Sequence, residues 1–379
     1  MYYVANLKLR VKMKSSHIQT LIYSGIFALL FATLPTYKVY ATNENSEQNS
    51  NTMLLDEPTT VEDELKRINQ EITSAQQNSQ TLPESLAELL VRKANILRKM
   101  SRHEEGKQVL DTLRDLASSN QLAYYLAQVD YQEGMRLKEI GEYKDAVPKF
   151  DAAQRQFAVL QEYVHQVRAL RRAAYCLRSN GALQSAIDYA ERALAIAKAH
   201  KLNKQAAYTL GGLANIYSSV GLYQEALEYD MEQSIYQPIE NTTLEERANR
   251  FYAMAERHMR LEDYDSAKHY FHKALEIDLQ FNMPAHIGHS LIKLSQVYRK
   301  AKEFDKALSF AQEAQVVFGE AKIERHIAWA KSNVGDVYLD QHQFEEAIQY
   351  LAPAVSTLTS LDEKPLLYRV KLSLAEAYL

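Results

Sequence analysis

The chain of 379 residues has one cysteine, one tryptophan, 11 glycines and 8 prolines. A single cysteine, Cys176, excludes any internal disulfide. Its place between Tyr175 and Leu177 in a helical stretch predicts a buried, inert thiol rather than a nucleophile. Scarce glycine and proline, with no β-branched alternation of any length, argue against a sheet and predict an all-α chain. Phosphate-cradling loops are missing: neither G-x-x-x-x-G-K nor G-x-G-x-x-G occurs, and neither does G-x-S-x-G, H-E-x-x-H or C-x-x-C. No nucleophile or acid–base set converges in the sequence, so no catalytic residue, cofactor or metal is assigned.

Acidic residues are absent from residues 1–41, which carry five bases, Lys8, Arg10, Lys12, Lys14 and Lys38. A fourteen-residue apolar run, Leu21 to Leu34, follows the first four of these bases, then Pro35 and Val39-Tyr40-Ala41. The run is shorter than the 18 or more residues of a membrane span and has the layout of a secretory signal. It predicts a signal peptide cleaved after Ala41, or an uncleaved membrane anchor. Either places the body outside the cytoplasm, in a bacterial periplasm, free or held at the inner membrane. Residues 42–58 are polar, aperiodic and read as a disordered tether. Beyond residue 41 there are 39 bases against 48 acids, a net of −9. A mildly acidic body is poorly suited to nucleic acid, which needs a basic face.

What the chain does have is a period. Gly141, Gly181, Gly221, Glu262, Lys302 and His342 stand 40, 40, 41, 40 and 40 residues apart. Two residues after each is Tyr143, Leu183, Tyr223, Tyr264, Phe304 or Phe344, and three further on is always alanine: Ala146, Ala186, Ala226, Ala267, Ala307 and Ala347. A period in this range predicts a solenoid of stacked units. Residues 59–82 form an N-terminal helix and linker, with Val61, Leu65, Ile68 and Ile72 on one stripe. Residues 83–122 are a degenerate capping unit, with His103 and Gly106 where aromatic and alanine belong. Six helix pairs fill 123–362. Residues 363–379 start a further unit, because Leu374-Ala375-x-x-Tyr378 falls 40 residues after Val334-Gly335-x-x-Tyr338. That unpartnered first helix is either a solvated end cap or, as its apolar outer face favours, the start of a natural chain that continues.

The pattern G-x-Y-x-x-A, with an apolar residue four on and alanine seven on (Phe150 and Ala153; Phe271 and Ala274), resembles the second half of a tetratricopeptide repeat. Leu213-Ala214-x-x-Tyr217 and Leu294-Ser295-x-x-Tyr298 resemble its first half. This unit has 40 residues where the common one has about 34, as in long-repeat variants of bacterial regulators. The resemblance implies a right-handed superhelical solenoid of antiparallel helix pairs, and it covers roughly Leu86 to the C-terminus.

The resemblance also implies a concave groove lined by first helices, where extended peptides bind. Counted from this chain's own units, the groove residues are Arg168, Arg171, Tyr175 and Arg178; Tyr208 and Asn215; Asn249 and Tyr252; His289, Gln296 and Arg299; and Trp329. They form a mixed surface of amides, aromatics and arginines suited to a peptide backbone or a carboxylate. The expected partner is a protein or peptide. A membrane is involved only through an uncleaved N-terminal segment or a span beyond the C-terminus. The expected role is a non-catalytic exported scaffold. The alternative is the extracytoplasmic sensory region of a truncated bacterial signalling protein, with a diguanylate cyclase or histidine kinase. Two histidine pairs, His269-x-x-His272 and His286-x-x-His289, have metal-ligand spacing, but no carboxylate or cysteine completes either set. They and the arginines 168, 171, 172 and 178 also admit a plainer reading as solvated helix faces.

Overall fold

The structure is a computed structural model describing residues 60–78 and 80–379; the predicted export signal and tether lie outside the described residues. Among these there are sixteen helices and no strand. The first is α1 (Val61–Gln77), followed by α2 (Pro83–Lys99) and α3 (His103–Ser119). Three regular pairs come next: α4 (Ala123–Glu139) with α5 (Tyr143–Val159), α6 (Tyr163–Ser179) with α7 (Leu183–Ala199), and α8 (Asn203–Val220) with α9 (Tyr223–Tyr236). After a short 3₁₀ turn, Ile239–Asn241, come α10 (Leu244–Arg260), α11 (Tyr264–Phe281), α12 (Pro284–Lys300) and α13 (Phe304–Glu320). The chain closes with α14 (Glu324–Asp340), α15 (Phe344–Ser360) and α16 (Lys364–Ala377).

The turns have a beat of half a repeat. Ser101, Gln121, Gly141, Gln161, Gly181, Lys201 and Gly221 all have positive φ, and so do Glu262, Asn282, Lys302, Lys322, His342 and Asp362. Each ends a helix in the left-handed conformation. After all of these but Asn282 the next N–H reaches back five residues to the helix, as Glu142 N does to Leu137 O at 2.9 Å and Gln343 N to Tyr338 O at 2.9 Å. Within each run successive left-handed residues are twenty apart. The beat is lost once, between Gly221 and Glu262, where Pro238 and the 3₁₀ turn stand instead. There α10 begins on a capping box, Thr243 Oγ1 accepting from Glu246 N.

Within a unit, two helices can approach only where side chains are small. All six repeated alanines are fully buried. The facing first-helix positions are Gly134, Ala174, Ala214, Ala255, Ser295 and Gly335. Size is traded across the contact. A Cβ built on Gly134 would lie 2.9 Å from the Phe150 ring, and one on Gly335 would lie 2.6 Å from Leu351 Cγ. Phe150 and Leu351 are met by glycine and Ala190 by Ala174, whereas the unit with Phe271 has Ala255 at the facing position. The residue after the turn fills the wedge towards the next unit, as Tyr143 does edge-on to Tyr175 at 6.3 Å. Phe344 is less covered, at 39% exposed.

The α1 helix packs Leu65, Ile68 and Ile72 into one cluster with α2 and α3, while Val61 stays exposed. Thr60 and Asp63 close a capping box at its start. No helix among the described residues is long and apolar enough to cross a membrane. The close approach at the repeated alanine gives a first test. Ala226→Leu overpacks the α8–α9 contact and costs about 1–3 kcal/mol, whereas Glu228→Leu, on the exposed side of α9, leaves stability within about 0.5 kcal/mol. Urea melts of both variants check it; equal losses would put the register wrong.

Candidate functional site

First helices lie against one another at α4–α6, α6–α8 and α12–α14, and long polar side chains link α8 to α10 and α10 to α12, so α4, α6, α8, α10, α12 and α14 form the inner layer. Polar bonds about one repeat apart tie this layer together. Tyr124 Oη meets His165 Nε2 at 3.3 Å, Arg178 donates to Ser219 Oγ at 3.3 Å, and Lys293 pairs with Glu256 at 2.7 Å. Gln296 donates to Asn333 Oδ1 at 3.0 Å, and Arg299 to Asp340 Oδ1 at 3.1 Å. Two cavities open on this inner surface.

The first cavity, about 310 Å³, is lined by Arg171, Arg172, Tyr175 and Arg178 of α6, Tyr208 and Asn215 of α8, and Asn249 and Arg250 of α10. Its floor is an ion pair between α9 and α10: Arg257 Nη1 to Asp230 Oδ2 at 2.7 Å, with side chains 4% and 8% exposed. Arg257 also donates to Ser218 Oγ at 2.9 Å and Asn215 Oδ1 at 2.8 Å. Burial pushes the Asp230 carboxyl up to about 6, against the pull of Arg257 and Arg250. Burial likewise lowers Arg257. Each partner is thus in a site that opposes its charge, and the pair stands because all three nitrogens of the Arg257 guanidinium donate hydrogen bonds. Above it Arg171 lies 4.9 Å from the Tyr208 ring centre. Burial, then the neighbouring Arg172 charge, draw Arg171 down to about 10.

The second cavity, about 660 Å³, shares Asn249 and adds Tyr252, Asp278, His289, Ser290 and His326. Ser290 Oγ donates to Asp278 Oδ2 at 2.6 Å, and burial raises the Asp278 carboxyl above its ordinary range. His289 packs edge-on to Trp329 at 4.9 Å and lies 5.1 Å from the His326 ring. Burial, then the His326 charge, hold it down to about 4, so it is neutral at pH 7. The reading of the two histidine pairs as solvated holds for His269 and His286, which are exposed, and is corrected for His272 and His289. His289 is half-buried among aromatic rings, and His272 is half-buried and bonded to Tyr298 Oη at 3.1 Å. Apolar neighbours of a helix-face histidine are supplied by the next unit and do not show in its own helix. Among the described residues no three His, Cys, Asp or Glu side chains are placed to hold a metal ion. Burial pushes the Cys176 thiol up to about 11, so it stays protonated.

Of the residues read from the sequence as the groove, Arg171, Tyr175, Arg178, Tyr208, Asn215 and Asn249 come together in the first cavity. Asn249, Tyr252 and His289 line the second. Arg168 is exposed on α6 and lines neither, and Gln296, Arg299 and Trp329 are engaged with the inner layer further along. The plainer reading of the arginine patch as a solvated face is corrected for Arg171, which is half-buried. Sequence reasoning missed Asp230, Arg257, Arg250 and Asp278. Their signal is departure from the repeat. Asp230 occupies the position of Phe150, Ala190, Phe271, Ala311 and Leu351; Arg257 occupies that of Arg136, Cys176, Ile216, Val297 and Val337, an arginine in the first full unit but apolar in the others. Gln233 stands where every other unit has alanine. Asp278 stands where Phe157, Ala197, Gln237, Phe318 and Leu358 stand, and its partner Ser290 where Ala169, Thr209, Arg250 and Ala330 stand.

Two segments, residues 131–201 and 246–315, match family models described as tetratricopeptide repeat. With the helix pairs and their small-residue contacts in place, those matches identify the repeat. The chain carries tetratricopeptide repeats. Tetratricopeptide repeat protein 29 of Trypanosoma brucei brucei is 30% identical over 126 residues; the match covers 33% of this chain and 26% of that protein. The chain therefore spans about a quarter of that relative's length. Among solved structures, the fold resembles a Signal Transduction ATPase with Numerous Domains with a tetratricopeptide repeat sensor from Pyrococcus horikoshii. There the TM-score is 0.60 at 13% identity, over 86% of this chain and 50% of that one. It also resembles the apo form of RapI, with a TM-score of 0.57 at 15% identity, over 84% of this chain and 97% of that one. The tetratricopeptide repeats make the chain a scaffold of the protein-interaction kind.

The floor of the first cavity is testable by restoring the repeat's own pattern. Asp230→Ala or Arg257→Ala alone strands a buried charge and costs about 3–5 kcal/mol. Asp230→Leu with Arg257→Val returns the positions to the residues of other units, and stability recovers to wild type or above. Denaturant melts of the four proteins check this; a double variant as weak as the sum of the singles would show the two sites uncoupled.

Proposed function

We propose that this chain is an exported scaffold that receives an extended segment of a protein partner along its inner groove. The observation that carries this reading is the pair of open cavities in series on the inner layer, meeting at Asn249. One is rich in guanidinium and the other mixes aromatic, histidine and carboxylate groups. An extended chain presents side chains alternately and offers its amides to polar side chains, which suits pockets set along a curved channel. Export is supported by the basic start, the apolar run from Leu21 to Leu34 and Val39-Tyr40-Ala41.

Export predicts that the protein recovered from a periplasmic fraction begins at Thr42 on N-terminal sequencing; protein retaining Met1 in the cytosol would contradict it. The groove predicts which residues matter to a partner captured from that fraction. Arg172 and Asn249 are both exposed, so Arg172→Ala/Asn249→Ala folds normally and loses the partner, about tenfold or more in affinity. Lys144→Ala, an exposed charge on α5, retains it. Retention by the double variant with loss in Lys144→Ala would move the interaction to the outer face.

A further inference from the structure

The solenoid is interrupted at one place. Every other successive pair of described helices shares a buried apolar cluster, but no cluster contains residues from both sides of Pro238. The beat of left-handed turns fails at the same point, and α9 ends after 14 residues where its counterparts run 17 or 18. α9 and α10 also approach least closely of all successive pairs within the repeats. Polar side chains replace the missing apolar contact. Besides the Asp230–Arg257 pair, Arg250 donates to Ser234 Oγ at 2.7 Å and to Gln237 O at 3.0 Å, and Tyr208 Oη donates to Glu246. Two apolar blocks, α1–α9 and α10–α16, thus meet at a polar joint.

The smaller cavity straddles that joint, with α6 and α8 on one side and α10 on the other. Five guanidiniums face it against one carboxylate, Asp230, which is committed to Arg257. Among the described residues no ion pair holds Arg171, Arg172, Arg178 or Arg250. In a chain of net charge −4, this concentration of like charge is a local feature of the joint. Guanidinium groups converging from two elements match the planar fork of a carboxylate. The volume of about 310 Å³ admits side chains rather than a helix. We infer that this cavity takes the carboxylate side chains of an acidic segment of the partner, and that the segment clamps the two blocks by bridging α6 and α10. The inference rests on the groove reading above and adds to it the ligand's charge and a mechanical consequence.

The test uses the full chain and fluorescein-labelled peptides of alternating glutamate and serine, the same peptide with glutamine for glutamate, and a single-stranded oligonucleotide. Anisotropy is expected to show binding of the glutamate peptide, weakened about tenfold by Arg172→Gln and by Arg178→Gln, and little binding of the glutamine peptide. With donor and acceptor dyes on Glu191→Cys of α7 and Glu276→Cys of α11, both exposed, the glutamate peptide narrows the distance distribution. Equal binding of the two peptides, or indifference to both arginine variants, overturns the charge assignment and leaves the groove reading to the capture experiment. Tighter binding of the oligonucleotide through the same arginines overturns the acidic-peptide assignment. Binding with an unchanged distance distribution overturns the clamp.

Discussion

Close approach between the two helices of a unit is the constraint on which everything else in this molecule rests. A helix pair cannot bury both its faces alone, so each unit must stack on the next. Stacking in register requires that every pair present the same thickness. Gly134 opposite Phe150, Ala174 opposite Ala190 and Gly335 opposite Leu351 hold that thickness constant while the residues change. The left-handed turns keep the helix lengths equal, so that the inner layer of first helices closes into a continuous surface. A functional groove then follows from curvature, since side chains on the inner layer converge.

The same constraint explains why the groove's chemistry sits where it does. At the contact within a regular unit the facing positions carry alanine, glycine, serine or an apolar residue, with no charge among them. A polar floor forms where those residues change. That happens at Asp230 with Arg257, and at Asp278 with Ser290. A buried ion pair adds little net stability compared with an apolar pair of similar size. Its retention at the one junction without a shared apolar cluster trades cohesion for a wet, charged and adjustable contact. Asp230 being pushed up to about 6 is the electrostatic trace of that trade.

Much of the fold could be read from the six in-phase alanines and the turn residues, because they report contacts within a unit, which repeat identically. The groove was legible only in outline. First-helix counting found Arg171, Tyr208 and Asn249, which project from the inner layer whatever their neighbours are. It gave Arg168 and Arg299 equal weight, although one lines neither cavity and the other is tied to Asp340. The floor residues Asp230 and Arg257 lie outside the counted positions, and their meaning depends on a partner 27 residues away in the next unit. Asp230 stands out only when each unit is compared with the others, and Arg257, whose register position is also arginine at Arg136, only when it is matched with Asp230. His289 was misread for the same reason: the rings that cover it, Phe318, His326 and Trp329, come from later helices.

The central claim is that two apolar blocks meet at a polar joint between α9 and α10. Native-state hydrogen exchange on the free protein tests it most directly, because local opening energies follow how much buried apolar contact each segment has. The account predicts slow exchange in the middles of α6, α8, α12 and α14. Residues 237–243 and the facing turns of α9 and α10 should exchange at a distinctly lower opening energy, with the slow helices on each side falling into two cooperative groups. A single cooperative group running through residues 237–243, with protection equal to that of the other turns, would contradict it.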